Sequence, residues 1–188
     1  MLGTDVVREL GGHDVVARDI EDFDIRDLEA TVEGIRAAAP EAIVHLAAFT
    51  DVEACEDRRD LAFQCNVDGT RHVAVGAEEV GAYVLYVSTD YVFAGTRHRP
   101  YVETDEPAPI NSYGLSKLEG ERALARVARR HLILRTSWLF GPNGKNFIDT
   151  VVARARSGVP LKVVNDQHGC PTYTGHLAGG IRAALERQ

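Results

Sequence analysis

Short apolar runs alternate along the chain with longer stretches in which apolar residues recur every three or four positions. Runs of the first kind suit strands, and stretches of the second suit amphipathic helices. Asp14-Val15-Val16-Ala17 reads as a strand. The helix predicted after it carries Leu28, Val32, Ile35 and Ala39 on one face. Pro40 stops that helix because it offers no N–H to continue the ladder. Ala42-Ile43-Val44-His45-Leu46-Ala47 reads as a buried strand. A helical region follows from roughly Leu61 to Val80, and Gly81 leads into a strand from Ala82 to Ser88. Prolines and charges between Arg97 and Ile110 mark a surface loop. A helix from about Ser112 to Arg130 then precedes a strand from His131 to Thr136. Strands alternating with helices predict an α/β fold, a parallel sheet covered on both faces. No repeat, low-complexity tract or interdomain linker breaks the pattern, and 188 residues suit one domain with a sizeable core.

Ligands of such sheets bind beyond the carboxyl ends of the strands, where the strand order reverses. The residues expected there are Arg18-Asp19, Ala47-Ala48-Phe49-Thr50, Ser88-Thr89-Asp90 and Ser137-Trp138. Any one of these groups suits a turn or a cap. Four at one sheet edge point to a site. Tyr113 and Lys117 stand four apart in a predicted helix and so share a face. Taken alone, the pair is equally well a tyrosine packed on a lysine stem. Beside a strand ending in Ser88-Thr89 it supplies what reduction of a ketone by hydride requires. Tyr113 is the general acid, and the base in reverse. Lys117 stabilises its phenolate against an ordinary pKa of about 10 and holds the nicotinamide ribose. Thr89 donates a hydrogen bond to the substrate oxygen.

Composition narrows the partners. The net charge is −7, from 21 basic and 28 acidic residues, which argues against nucleic acid or an anionic membrane. Arg126, Arg129 and Arg130 sit among alanines at helical spacing and read as a solvated face. No apolar run is long enough to cross a bilayer, and the first residues lack the pattern of a secretory signal, so cytoplasm is expected. Cys55, Cys65 and Cys170 form no CxxC pair and read as reduced and structural. The histidines show no ligand spacing, so no metal site is predicted.

The runs Ser88-Thr89-Asp90-Tyr91-Val92-Phe93 and Tyr113-Gly114-Leu115-Ser116-Lys117 resemble the extended short-chain dehydrogenase/reductase superfamily, and within it the dTDP-4-dehydrorhamnose reductases. Ala47 to Glu53, Asn66-Val67, Arg135 to Gly141 and Asn165 to Thr172 agree with that family. The resemblance spans essentially the whole chain. It implies a Rossmann-like doubly wound sheet and a nucleotide-sugar substrate. The implied reaction is NAD(P)H-dependent reduction of the 4-keto group of dTDP-4-dehydro-β-L-rhamnose to dTDP-L-rhamnose. It implies Thr89, Tyr113 and Lys117 as the catalytic trio, and Thr89, Asp90 and Trp138 as residues that meet the sugar. It also implies that Ala48, Phe49 and Thr50 lie along the cofactor, that Asp19 binds the adenosine ribose, and that Asp24 and Ile25 bracket adenine. Arg18 beside Asp19 tilts the choice between NADH and NADPH slightly toward NADPH. A homodimer is compatible with the family.

The family opens with a strand and a Gly-x-x-Gly-x-x-Gly turn that cradles pyrophosphate at a helix amino terminus. Here Met1-Leu2-Gly3 align with the end of that turn, and Gly3 matches the last glycine. The expectation is therefore a sheet without its central first strand, with two neighbouring strand edges exposed. Most of the smaller substrate-binding region, which begins after about residue 138, is expected to be missing, and cofactor binding to be weak. A helix from Tyr173 to Glu186 is implied at the other end. Two alternatives stand beside the reductase. One is a non-catalytic regulatory subunit like the beta subunit of methionine adenosyltransferase, and the other is a different nucleotide-sugar reductase or epimerase.

Overall fold

Local signals set most element boundaries. Helix α2 (Leu28–Ala38) starts where the Asp27 carboxylate accepts from the Ala30 N–H, and ends at Ala39 in the left-handed region (φ 42°), just before Pro40. Helix α5 (Thr70–Val80) ends on Gly81 at φ 74°, a conformation that glycine adopts without a steric penalty. The helical region expected from Leu61 to Val80 is built in parts. Helix α3 (Val52–Asp57) and α4 (Arg59–Phe63) lead into a π-helical turn at Gln64–Gly69, which runs on into α5. Turns of this kind recur at functional sites, and this one carries Asn66.

The computed structural model describes residues 1–188, which divide into two compact units. One comprises Val16–Arg135, and the other comprises Met1–Val15 together with Thr136–Gln188. The first is built on strands β1 (Ala42–His45), β2 (Tyr83–Thr89) and β3 (His131–Thr136), in the order β1-β2-β3. Strands β1 and β2 run parallel, with Ala42 opposite Tyr83 and His45 opposite Tyr86. The central strand β2 is buried at every position except the half-buried Val87. Strand β1, read from the sequence as buried, is an edge strand instead: Ala42 is exposed and Ile43 and Val44 are half-buried.

The strand expected at Asp14–Ala17 does not form. A strand exists only through a neighbour that takes up its N–H and C=O groups. No ladder reaches this segment, and Val15 and Val16 are exposed. The sheet therefore has β1 at one edge, and residues 14–17 lie outside it.

Helix α6 (Ser112–Val127) is buried along most of its length and packs on α5 through small residues, among them Ala74, Ala77, Ala82 and Ala128 around Tyr86 and Leu124. The closeness is absolute at two points. A Cβ on Gly114 would lie 2.1 Å from the Tyr91 carbonyl oxygen, and one on Gly120 would lie 2.2 Å from that of Asn66.

The second unit packs α1 (Leu2–Glu9) against α8 (Thr174–Leu185), with Leu2, Val6, Leu10, Ala178 and Ile181 buried and an Arg182–Glu9 ion pair at 3.2 Å. Strand β4 (Leu139–Phe140) pairs in parallel with β5 (Thr172–Tyr173), and α7 (Phe147–Arg156) buries no residue.

Gly120→Ala should destabilise the chain by about 1–3 kcal/mol, because backbone must move to admit the methyl group. Gly12→Ala, where nothing lies within 4 Å of the added carbon, serves as the control. Denaturant unfolding of both variants measures the difference.

Candidate active site

Three of the residues singled out from the sequence converge at the carboxyl end of β2. Thr89 ends that strand, and its Oγ1 donates to Asp90 Oδ1 at 3.2 Å and accepts the Tyr91 N–H at 3.2 Å. Tyr113, in the first turn of α6, is buried and meets the Tyr91 ring edge-on at 5.7 Å. Burial pushes its hydroxyl up to about 12, with the neighbouring Thr89 hydroxyl partly offsetting the shift and Cys55, Asp90 and Tyr91 adding to it. Burial also raises the Asp90 carboxyl. Ser88 Oγ, one residue from the strand end, is buried without a partner and offers a hydrogen bond to a polar ligand.

Lys117 lies one turn further along the same face of α6 and is 2% exposed. Its Nζ donates to the Val87 carbonyl at 3.0 Å and sits 4.0 Å from the centre of the Tyr86 ring. The sequence reading set this ammonium beside the Tyr113 phenolate. The structure directs it to the strand backbone and to Tyr86. Burial lowers its pKa to about 7, and the Glu121 carboxylate opposes the shift. Glu121 is itself held by Arg135 at 2.9 and 2.5 Å. Beneath Lys117, His45 stacks on Tyr86 at 5.1 Å and shares a 3.0 Å hydrogen bond with Thr70. Complete burial lowers the pKa of His45 to about 3, so the ring is neutral.

The remaining positions divide between the two units. Ala48 and Phe49 are half-buried beyond β1, and Thr50 is exposed. The Arg58 guanidinium lies 5.5 Å from the Phe49 ring centre. Asp19 closes a turn, accepting the Ile20 N–H at 2.8 Å, while Arg18 pairs with Asp22 at 3.1 Å. Asp24 is clamped by the Arg26 guanidinium, which lowers its pKa. Ile25 is fixed by its carbonyl, which accepts from His72 Nδ1 at 2.8 Å, and its side chain leaves no room for a Cβ on Gly69. Met1, Leu2 and Gly3 form the amino terminus of α1 and belong to the second unit. Trp138 belongs to that unit as well, is 40% exposed, and holds the left-handed region at φ 46°. A Cβ on Gly169 would lie 2.7 Å from its indole.

Two polar residues that the sequence reading left out of the site organise it. Asn66, fully buried, accepts the Phe49 N–H at 2.8 Å and donates to the Phe49 carbonyl at 3.0 Å and to Ser116 Oγ at 2.9 Å. Ser116 Oγ in turn donates to the Tyr113 carbonyl at 2.8 Å. One amide thus ties the end of β1 to the Tyr113 helix. A signal for it existed: Asn66 falls on the buried face with Ala62, Gly69 and Val73, and a polar residue on a buried face must have partners. The second is Glu56, whose partner Ser112 is 56 residues away, a separation no local pattern reveals.

Comparison with known proteins identifies the family and the fold. The family described as RmlD substrate binding domain matches residues 1–188, and the chain belongs to that family. The dTDP-4-dehydrorhamnose reductase of Escherichia coli K12 is 41% identical over 168 residues, covering 87% of this chain and 56% of that protein. The chain therefore spans little more than half the length of this curated relative. The crystal structure of the Bacillus anthracis reductase in complex with NADP superposes with a TM-score of 0.95 at 38% identity, over 98% of this chain and 66% of that one. The Clostridium acetobutylicum enzyme gives 0.95 at 36% identity, over 99% and 67%. The Rossmann-like α/β class follows from these matches.

The burial of Lys117 has a measurable consequence. Its pKa is near 7 in the folded chain and 10.5 otherwise, so above pH 7 the unfolded chain binds a proton that the folded chain sheds. Stability contributed through this group therefore rises with pH from about 7. The Cys55 thiol, raised from 9.0 to about 11, works in the opposite direction above pH 9. Between pH 7 and 9 the unfolding free energy of the native chain should climb relative to Lys117→Met, as read from denaturant melts at each pH.

Proposed function

We propose that the protein carrying this chain reduces the 4-keto group of dTDP-4-dehydro-β-L-rhamnose to give dTDP-L-rhamnose, using NADPH or NADH. The observation that carries this reading is the convergence of Thr89, Tyr113 and Lys117 at the end of β2, in a chain 41% identical to a dTDP-4-dehydrorhamnose reductase.

A nicotinamide cofactor, when bound, supplies the hydride. Its adenosine end falls to Asp19, Asp24 and Ile25, its pyrophosphate to the backbone at Met1, Leu2 and Gly3, and its nicotinamide riboside to Ala48, Phe49, Thr50, Tyr113 and Lys117. These positions suit the group chemically. Asp19 is an exposed carboxylate in a loop, Ile25 is held from behind by His72, and the Phe49 backbone is locked by Asn66. The substrate falls to Thr89, Asp90 and Trp138, the exposed indole offering a flat apolar face to a pyranose ring.

In reduction, Thr89 Oγ1 donates to the ketone oxygen and Tyr113 gives that oxygen its proton as the C4 carbon gains hydride. Tyr113 with a pKa near 12 is protonated at neutral pH, the state that this donation needs. Lys117 lies one turn along the same helix face from the tyrosinate that forms, and the proton is recovered from solvent. The proposed location is the cytoplasm, and gel filtration of the full-length protein tests a homodimeric state.

The test is NADPH and NADH oxidation with the 4-keto sugar, using these 188 residues within a protein of the relatives' full length. Tyr113→Phe should lower kcat by on the order of 10²–10⁴, the usual worth of a positioned proton donor. A variant that keeps the native rate rejects the reading.

A further inference from the structure

We infer that Glu56 is a positioning residue for Tyr113, acting through a two-point clamp on the first residue of α6. The inference rests on the proposed role of Tyr113 as proton donor. Glu56 lies on α3, outside every position assigned above. Its Oε1 accepts the Ser112 N–H at 2.7 Å, and its Oε2 accepts the Ser112 hydroxyl at 2.8 Å. Ser112 directly precedes Tyr113, so both oxygens of one carboxylate are committed to the residue that sets where the tyrosine begins.

A helix leaves its first N–H groups without intrahelical partners and carries partial positive charge at that end. At α6 the Asn111 side chain caps the Gly114 N–H at 2.7 Å, and Glu56 takes the Ser112 N–H from another element. The carboxylate thus satisfies an orphan donor and brings negative charge to the helix dipole. The Ser112 N–H and hydroxyl hold the Glu56 carboxyl below its ordinary range, so the group is charged at neutral pH.

The position of the clamp is specific. Helix α3 follows directly on the segment beyond β1 that includes Phe49 and Thr50, and Cys55, the neighbour of Glu56, packs in one cluster with Phe49 and Tyr113. Asn66 ties the Phe49 backbone to α6 from below, by way of Ser116. Glu56 ties the same two segments at the helix tip. Two links fix Tyr113 against the β1 loop where one would leave a pivot.

The experiment follows the Tyr113 hydroxyl by its 13Cζ resonance, and the amides of residues 112–115 by hydrogen exchange, in the 188-residue chain. Glu56→Ala should speed exchange at those amides by about tenfold relative to the centre of α6, the size expected for loss of charge-assisted hydrogen bonds. It should also bring the Tyr113 titration down from about 12 toward the ordinary 10 as the helix tip opens to water. Glu56→Gln keeps an acceptor for the N–H and a donor for the hydroxyl oxygen, and should restore most of both readouts. If Glu56→Ala leaves exchange and titration native, the clamp is refuted. Should that variant not fold, Ser112→Ala, which removes the hydroxyl bond alone, gives the same test at about threefold, and native exchange there refutes the clamp too. A Tyr113→Phe protein that keeps its reductase rate while Glu56→Ala shifts the titration would sink the proton-donor reading and leave the clamp standing.

Discussion

Helix α6 lies too close to its neighbours for any side chain at two positions, and the rest of the site depends on that approach. Gly114 faces the Tyr91 carbonyl, and Gly120 faces the Asn66 carbonyl and the Tyr86 hydroxyl. Just before the first contact the helix presents Tyr113, and between the two it presents Ser116 and Lys117; all three are buried. The seating excludes water from their polar atoms. The same desolvation raises the Tyr113 hydroxyl and lowers the Lys117 ammonium, because in each case it disfavours the charged form. Close packing and perturbed acidity are one effect seen twice.

Burying this many polar groups is costly unless each finds a partner, at about 1–3 kcal/mol for every group left unsatisfied. Around α6 the chain meets that constraint at Asn66, Lys117 and Glu121 with links between segments distant in sequence, while Ser88 Oγ stays without a partner. Asn66 binds both backbone groups of Phe49 and a hydroxyl on α6. Lys117 reaches Val87 on β2, and Glu121 is matched by Arg135 at the base of the same helix. Each link that removes an unpaired group also stops one element sliding on another. Polar satisfaction and rigidity of the site therefore arise together. The π-helical turn at Gln64–Gly69 belongs to this accounting, since it carries Asn66 on a face that the following α5 continues with Thr70 and Val73.

The sheet and its helices were legible wherever a local signal existed. The apolar run at Ala82–Ser88 became β2, the helix expected from Ser112 became α6, and Pro40 ended α2. Tyr113 and Lys117 were legible because helical spacing alone puts them on one face. What the sequence hid depended on distant partners. The stretch at Asp14–Ala17 has the composition of a strand, but pairing decides strands and it has none. Helices α1 and α7 were not foreseen. Both are short, of eight and ten residues, and α1 packs against α8, far away in sequence. The direction of the Lys117 side chain was likewise set by Val87 and Tyr86, more than 25 positions away in sequence, as the 30-residue separation of its hydrogen bond shows.

The backbone is unusual at two positions that are not glycine. Only Ala39 and Trp138 hold a left-handed conformation without being glycine. Ala39 is accounted for, since it closes α2 ahead of Pro40. Trp138 closes no helix, and a bulky residue there costs of order 1–3 kcal/mol. Three contacts within its own unit hold it: Ser137 Oγ donates to the Cys170 carbonyl at 2.6 Å, the Thr172 N–H donates to the Trp138 carbonyl at 3.3 Å, and the indole rests on Gly169. Those contacts fix the ring with 40% of the residue still open to solvent. The exposed indole face is therefore a fixed feature of this unit, and it is the face to which the proposed function assigns the sugar.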